Sequence, residues 1–164
     1  MDAPTIRLAT AGDLAAINEI YNHYVLHCTC TYQEEPTSAD ERREWFDAHG
    51  ARHPVTVAVI DGAVVGWGSL SPFHTRAAYR HTVEDSVYVR CDMQGRGIGK
   101  ALLADLIARA QTLGHHAVMA LIDGEQCPSI ALHERFGFAR VGRLKEVGCK
   151  FSRWLDVVDM ERLV

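Results

Sequence analysis

The sequence lacks an excess of positive charge. Seventeen Lys and Arg stand against 21 Asp and Glu, a formal net charge of -4. General nucleic-acid binding needs a basic face that displaces counterions from phosphates, so no nucleic-acid partner is expected. No apolar run approaches the ~20 residues a membrane-spanning helix requires, so no membrane partner is expected. The start, Met1-Asp2-Ala3-Pro4, has no basic region followed by an apolar stretch. No signal peptide is read there, and the expected location is the cytoplasm. The five cysteines, Cys28, Cys30, Cys91, Cys127 and Cys149, are an odd, scattered set and a poor disulfide framework. Cys28-Thr29-Cys30 beside His27 lacks the Cys-x-x-Cys spacing of a zinc knuckle and has no second pair, so no metal is expected. Repeats, low-complexity tracts and linker-like stretches are also missing. One domain over residues 1–164 is expected, long enough to bury a full core.

What is present is a sequence of alternating periodicities. Thr5 to Ala9 reads as a short strand. Thr10 and Asp13 form a capping-box pair, and Leu14, Ile17, Ile20, Tyr21, Tyr24 and Val25 follow at helical spacing. Ser38 and Glu41 form a second capping box before Trp45 and Phe46. Val55–Ile60 and Ala63–Leu70 read as strands joined by the hairpin signal Asp61-Gly62. Residues 71–80 read as a loop. Thr82–Val89 alternates as a fourth strand. Gly97–Leu113 reads as an amphipathic helix ended by Gly114. His116–Ile122 is a strand, Ser129–Phe136 a short helix, and Phe138–Val164 two or so short strands. The order predicts a layered α/β domain with a mixed sheet.

The segment Gln94-Gly95-Arg96-Gly97-Ile98-Gly99, followed by Lys100, joins the fourth strand to a helix. A helix N-terminus carries unpaired N–H groups and the positive end of a dipole, so it attracts phosphate. Glycines let the backbone approach a ligand closely. Arg96 and Lys100 add charge at the same place. The dinucleotide spacing Gly-x-Gly-x-x-Gly is absent, and Ala101 after Lys100 excludes the Walker pattern. The turn is a phosphate cradle of another kind.

Gln94-x-x-Gly97-x-Gly99 resembles the pyrophosphate loop of the GNAT superfamily of N-acetyltransferases. Ser129 to Phe138 resembles that superfamily's later helix-to-strand signature. Tyr79 to Val89, with Ile20 to Val25 and Lys150 to Val157, resembles the enzymes that acetylate phosphinothricin and methionine sulfone or sulfoximine. The resemblance implies a mixed, mostly antiparallel central sheet flanked by helices on both faces. It also implies acetyl-CoA as cosubstrate, a small-molecule amine as acceptor, and a homodimer.

Acetyl transfer from a thioester to an amine needs a base for the amine, donors for an oxyanion, and two substrates held within reach. Alternation along the fourth strand places Glu84, Ser86 and Tyr88 on one face. The resemblance implies that Glu84 is the base, acting directly or through water, and that His133 donates a proton to the leaving thiolate or helps the amine's proton leave. It implies an oxyanion-binding amide freed by a bulge near Val87, Tyr88 and Val89, with Val87 and Val89 also along the pantetheine arm. Ser129 and Gln126 are expected at the cofactor, with Gln126 standing where relatives commonly carry Asn. Arg76 and Arg80 are expected to hold an anionic group of the acceptor, with Phe73, Tyr79 and Ser86 beside them. Two other readings stay open: acetylation of a polyamine, an aminoglycoside or a protein N-terminus, and a catalytically silent acyl-CoA-binding module.

Overall fold

The computed structural model describes residues 3–164. Its strands are β1 (Thr5–Leu8), β2 (Val55–Ile60), β3 (Ala63–Pro72), β4 (Thr82–Val89), β5 (Ala117–Asp123), β6 (Ala139–Lys150) and β7 (Arg153–Leu163). Its helices are α1 (Leu14–His27), α2 (Ala39–Asp47), α3 (Ile98–Thr112) and α4 (Cys127–Arg135). The seven strands form one sheet in the order β1-β2-β3-β4-β5-β7-β6. Only β4 and β5 run parallel; the other neighbours are antiparallel. The mixed, mostly antiparallel sheet expected from the sequence is present.

Local chemistry explains most of the boundaries. The Thr10 N–H donates to Asp13 Oδ2 at 2.8 Å, and the capping box opens a 3-10 turn that runs into α1. The Ser38 N–H donates to Glu41 Oε2 at 2.7 Å, and the Glu41 N–H returns to Ser38 Oγ at 3.2 Å. Asp61 and Gly62 take φ of 51° and 79°, the pair of positive values a tight hairpin with right-handed strand twist requires. Three expectations shift. The final strands are long, 12 and 11 residues, because they pair with each other and β7 also pairs with β5. The last helix begins at Cys127, since Pro128 suits a first turn whose N–H groups lack partners. The loop after β3 contains a 3-10 turn at Ala77–Tyr79.

Helices cover both faces. On one, Leu14, Ile17, Ile20 and Tyr24 of α1 pack with Val55, Val57 and Trp67, and Trp45 and Phe46 of α2 join them. On the other, Leu103, Leu106 and Ile107 of α3 pack with Leu70, Val83 and Val118. Two glycines of β3 set how closely α3 approaches. A Cβ on Gly68 would lie 2.9 Å from Leu106 Cδ1, and one on Gly66 would lie 2.9 Å from the Tyr88 carbonyl and 3.2 Å from Ile98 Cγ2. The bare backbone therefore seats the start of α3 directly beside β4.

Candidate active site

The site is built where β4 leaves β5. The Arg90 N–H donates to the Val65 carbonyl at 2.9 Å, and the Phe73 N–H donates to the Thr82 carbonyl. Even-numbered residues of β4 therefore bond β3, and the N–H and C=O groups of odd-numbered residues point toward β5. β5 meets β4 only at Thr82↔Ala117, Val83↔Val118 and Glu84↔Met119. Beyond Glu84 the strands part, while β5 stays paired with β7 as far as Asp123↔Val157. Beyond Glu84↔Met119 the amides of Val87 and Val89 face an opening. The bulge expected in β4 is not there: the register from Pro72↔Val83 to Gly66↔Val89 runs without a shift. Divergence of two strands frees the amides instead.

One continuous cleft of about 1610 Å³ occupies this opening and extends over the face covered by α1 and α2. Its phosphate end is the turn before α3. Gly95 and Gly97 have φ of 74° and 80°, left-handed values that favour glycine, and Gly97 caps the helix. The first N–H groups of α3 have no carbonyl partner within the helix. A Cβ on Gly99 would stand 3.6 Å from Leu132 Cδ2 and 3.7 Å from Val89 Cγ2, so its absence leaves the wall open. Gln94 and Lys100 line the same end. Gln94 Nε2 donates to the Tyr24 hydroxyl at 2.7 Å, and that hydroxyl donates to the Val89 carbonyl. Burial, chiefly, pushes the Tyr24 phenol up to about 12, so it stays protonated. Ile98 is core: its side chain is 1% exposed among Ala58, Val65 and Leu102, which leaves only its backbone to a ligand. Arg96 is exposed and does not line the cleft. Gln126 and Ser129, at the start of α4, do.

The reacting end holds Glu84, Ser86 and Tyr88 together, as alternation requires. Tyr88 stacks on Trp67 at 4.9 Å, and Ser86 lies opposite Ser69. Burial, followed by the charges of Asp85 and Asp159, raises the Glu84 carboxyl above its usual value. Asp85 points the other way, into the face beneath α4. There His133 Nε2 lies 3.0 Å from Asp85 Oδ2, and His133 Nδ1 lies 2.8 Å from the Ser129 carbonyl. Both acceptors are oxygens, so the imidazole donates from both nitrogens. Burial disfavours that cation, but the Asp85 hydrogen bond and charge, with the Ser129 carbonyl, outweigh it and leave the His133 pKa raised. His133 lines the cleft but has no ring nitrogen free to protonate a thiolate in this arrangement.

Phe73, Arg76, Tyr79 and Arg80 do not line the cleft. Their loop folds on itself: the rings of Phe73 and His74 are 4.4 Å apart and those of His74 and Tyr79 are 4.9 Å apart. Arg80 Nη1 donates to the Ala77 carbonyl at 3.2 Å. Arg76 and Tyr79 border a separate hollow of about 340 Å³. The reason is strand length, since β3 continues to Pro72 and carries the chain past the cleft before it turns. Among the described residues, no group of three or more His, Cys, Asp or Glu side chains is arranged to hold a metal ion.

The model of the acetyltransferase (GNAT) family matches residues 17–138, which include β4, the glycine turn and α4. The chain belongs to the GNAT acetyltransferase family. The chain is 41% identical over 158 residues to the L-amino acid N-acyltransferase MnaT of Escherichia coli, covering 96% of this chain and 92% of that one. It is 40% identical, with the same coverage, to an L-methionine sulfoximine/L-methionine sulfone acetyltransferase of Salmonella typhimurium. A solved GNAT structure, a phosphinothricin acetyltransferase from Sinorhizobium meliloti in complex with AcCoA, superposes with a TM-score of 0.96. It is 42% identical, and the match covers 99% of this chain and 89% of that one.

Two features of this GNAT site were not legible beforehand. The Asp85–His133 pair joins residues 48 apart, which no local pattern links. Arg42 also lines the cleft, almost wholly buried among aromatic rings. The visible signal for it was one charge within the aromatic Trp45-Phe46 face of α2.

Proposed function

We propose that this chain, acting as a single domain, moves an acetyl group from acetyl-CoA to the α-amine of a small amino acid or analogue of the methionine sulfone or phosphinothricin type. The enzyme class is that of the family: an acetyl-CoA-dependent N-acetyltransferase. One observation carries the reading. A single cleft joins the N-terminus of α3 to Glu84 across the point where β4 and β5 part. The glycine turn, the open wall at Gly99 and the unpaired edge of β4 fit an extended pyrophosphate-and-amide chain. That group supplies a thioester carbonyl as electrophile.

The residues of the chain supply the rest. Glu84, whose pKa burial raises, accepts the proton of the amine directly or through water; the freed lone pair forms the new C–N bond as the thioester C–S bond breaks, and CoA leaves as a thiolate that takes its proton from solvent. The Val87 or Val89 N–H donates to the oxygen on which negative charge develops, in a wall already stripped of a strand partner. His133, with Asp85, holds α4 against β4 so that Ser129 and Gln126 keep their place. The even face of β4, rather than the loop after β3, carries the acceptor.

We also read the protein as a cytoplasmic homodimer. In support, no helix of the described residues is long and apolar enough to cross a membrane. Strand β6 lies at the sheet edge with Val141, Leu144 and Val147 exposed, and Trp154 on β7 is 68% exposed. An unpaired edge with apolar side chains suits a second copy of the chain. The acceptor is tested with purified protein, acetyl-CoA and a panel of amines, following free thiol. Release with methionine sulfone or phosphinothricin is expected. Release only with polyamines or aminoglycosides would reassign the acceptor, and binding of acetyl-CoA with no release on any amine would favour a silent binding module.

A further inference from the structure

Burying a cation is costly unless something answers its charge. Two long cationic side chains are almost wholly buried, Lys150 at 1% and Arg42 at 4% exposure. Lys150 is accounted for. Its Nζ donates to the Cys28 and Thr31 carbonyls at 2.7 and 2.8 Å and stands 5.0 Å from the Phe151 ring, pinning the segment after α1.

Arg42 is not accounted for. Its Nε donates to Asn18 Oδ1 at 3.1 Å. Its guanidinium carbon lies 4.7 Å from the Tyr21 ring, 4.6 Å from Trp45 and 5.7 Å from Trp67. These rings hold the guanidinium plane. No carboxylate of a described residue is within ion-pair distance, and neither Nη donates to a described residue. Burial works against its charge, and the groups that favour it are the phenols of Tyr21 and Tyr88. Burial raises the Tyr88 phenol well above its ordinary value, so it supplies no negative charge near pH 7. The fork is therefore fixed in orientation, lines the cleft and lacks an anion.

Its position relative to the base is also set. Trp45 follows Arg42 on the same face of α2, and the His49 ring packs tilted against Trp45 with centroids 4.4 Å apart. His49 Nε2 lies 3.0 Å from Ser71 Oγ, and Ser71 is the register partner of Glu84. The segment from Arg42 to His49 thus runs over Trp67 to the strand pair that carries Glu84. Helix α2 rises about 8 Å from Arg42 to Asp47, and the turn at Ala48 carries the chain on to His49. A small acceptor fits that interval, with its amine toward Glu84 and an anionic or strongly polar oxygen toward Arg42.

We propose that Arg42 is the acceptor-binding cation of this site, taking an oxygen pair of the acceptor: its α-carboxylate, or the oxo group at the end of its side chain. The proposal rests on the acetyl-transfer reading and adds a specificity element to it. A cation at this place attracts acidic and oxo-bearing amino acids and repels polyamines and aminoglycosides.

The experiment uses the native tryptophans. Trp45 and Trp67 flank Arg42, so intrinsic fluorescence reads acceptor binding without acetyl-CoA and without turnover. Methionine sulfone, its carboxamide and norleucine are titrated into wild-type protein, Arg42→Gln and Arg42→Lys. Loss of a bidentate charged contact is expected to weaken methionine sulfone by about 10- to 100-fold in Arg42→Gln, with acetyl-CoA affinity unchanged. Arg42→Lys recovers only part, because a point charge does not reproduce the fork. Weak binding of the carboxamide to wild-type protein assigns Arg42 to the carboxylate; weak binding of norleucine assigns it to the side-chain oxygens. Wild-type protein that binds all three ligands equally overturns the proposal, and this arm needs no variant to fold. So does a folded Arg42→Gln that binds methionine sulfone within twofold of wild type. Arg42-dependent binding without any acetyl transfer would instead overturn the acetyl-transfer reading and leave the anion site standing.

Discussion

Replacing Asp85 with Asn removes the charge that His133 faces and keeps the shape of the side chain. Both side chains are nearly sealed, 1% and 5% exposed, and they lie 3.0 Å apart. Removing one partner of a buried pair costs about 3–5 kcal/mol, because the other charge is left uncompensated. The low end applies here. Asp85 Oδ1 is buried without a hydrogen-bond partner, so the native carboxylate is itself incompletely satisfied. In a chain of 164 residues about 3 kcal/mol corresponds to a fall in Tm of about 6–12 °C. The pH dependence has a definite sign. The His133 pKa is raised in the folded state, so the pair's contribution is complete below the unfolded value near 6.5 and is lost as pH rises through the folded value. Thermal melts of wild type and Asp85→Asn across pH 5.5–9 should therefore differ most at the acid end and converge at the alkaline end. A gap that is flat, or that widens with pH, would refute the charged pair. His133→Gln separates holding from proton donation. A loss of Tm with a modest loss of kcat fits a positioning residue. An unchanged Tm with kcat reduced by about 10³-fold would make His133 an acid after all.

Glu84→Gln should lower kcat by about 10²- to 10⁴-fold while acetyl-CoA binds as before, measured by thiol release and calorimetric titration. In wild type the acid limb of kcat/KM should fall above the ordinary Glu range, because activity needs the carboxylate and burial raises its pKa; a limb at or below that range would remove Glu84 from the base role. Gly97→Val forces a β-branched residue to φ of 80°, a strain of about 1–3 kcal/mol at the turn. Acetyl-CoA affinity should collapse while circular dichroism shows the fold retained, and unchanged affinity would sink the phosphate assignment. Gly68→Ala places a Cβ 2.9 Å from Leu106 Cδ1 and 3.0 Å from the Ser86 carbonyl. Denaturant unfolding should show a loss of about 1–3 kcal/mol, since neither the strand nor the buried Leu106 can yield freely.

Much of this molecule is written in local pattern. Period-2 alternation alone placed Glu84 with Ser86 and Tyr88 and turned Asp85 away from them, because successive strand residues point to opposite faces. The capping pairs Thr10/Asp13 and Ser38/Glu41 act within four residues of chain, so they were legible and are formed. The glycine spacing from Gln94 to Gly99 specified a turn that only glycine conformations close readily. What failed needed distance. The bulge expected in β4 is replaced by divergence from β5, which depends on how far two strands 30-odd residues apart stay paired. Residues 73–80 adjoin the β4 block in sequence, but the length of β3 carries them away from the cleft. Arg42 reads as one more charge on a helix until Tyr21, Trp45 and Trp67 close around it. The sequence by itself determined the family, the glycine turn and the face that carries Glu84, since each rests on neighbours a few residues apart. Only the tertiary structure decided that Arg42, rather than Arg76 or Arg80, meets the cleft and that His133 is held by Asp85, because burial and charge pairing are set by side chains that meet from distant parts of the chain.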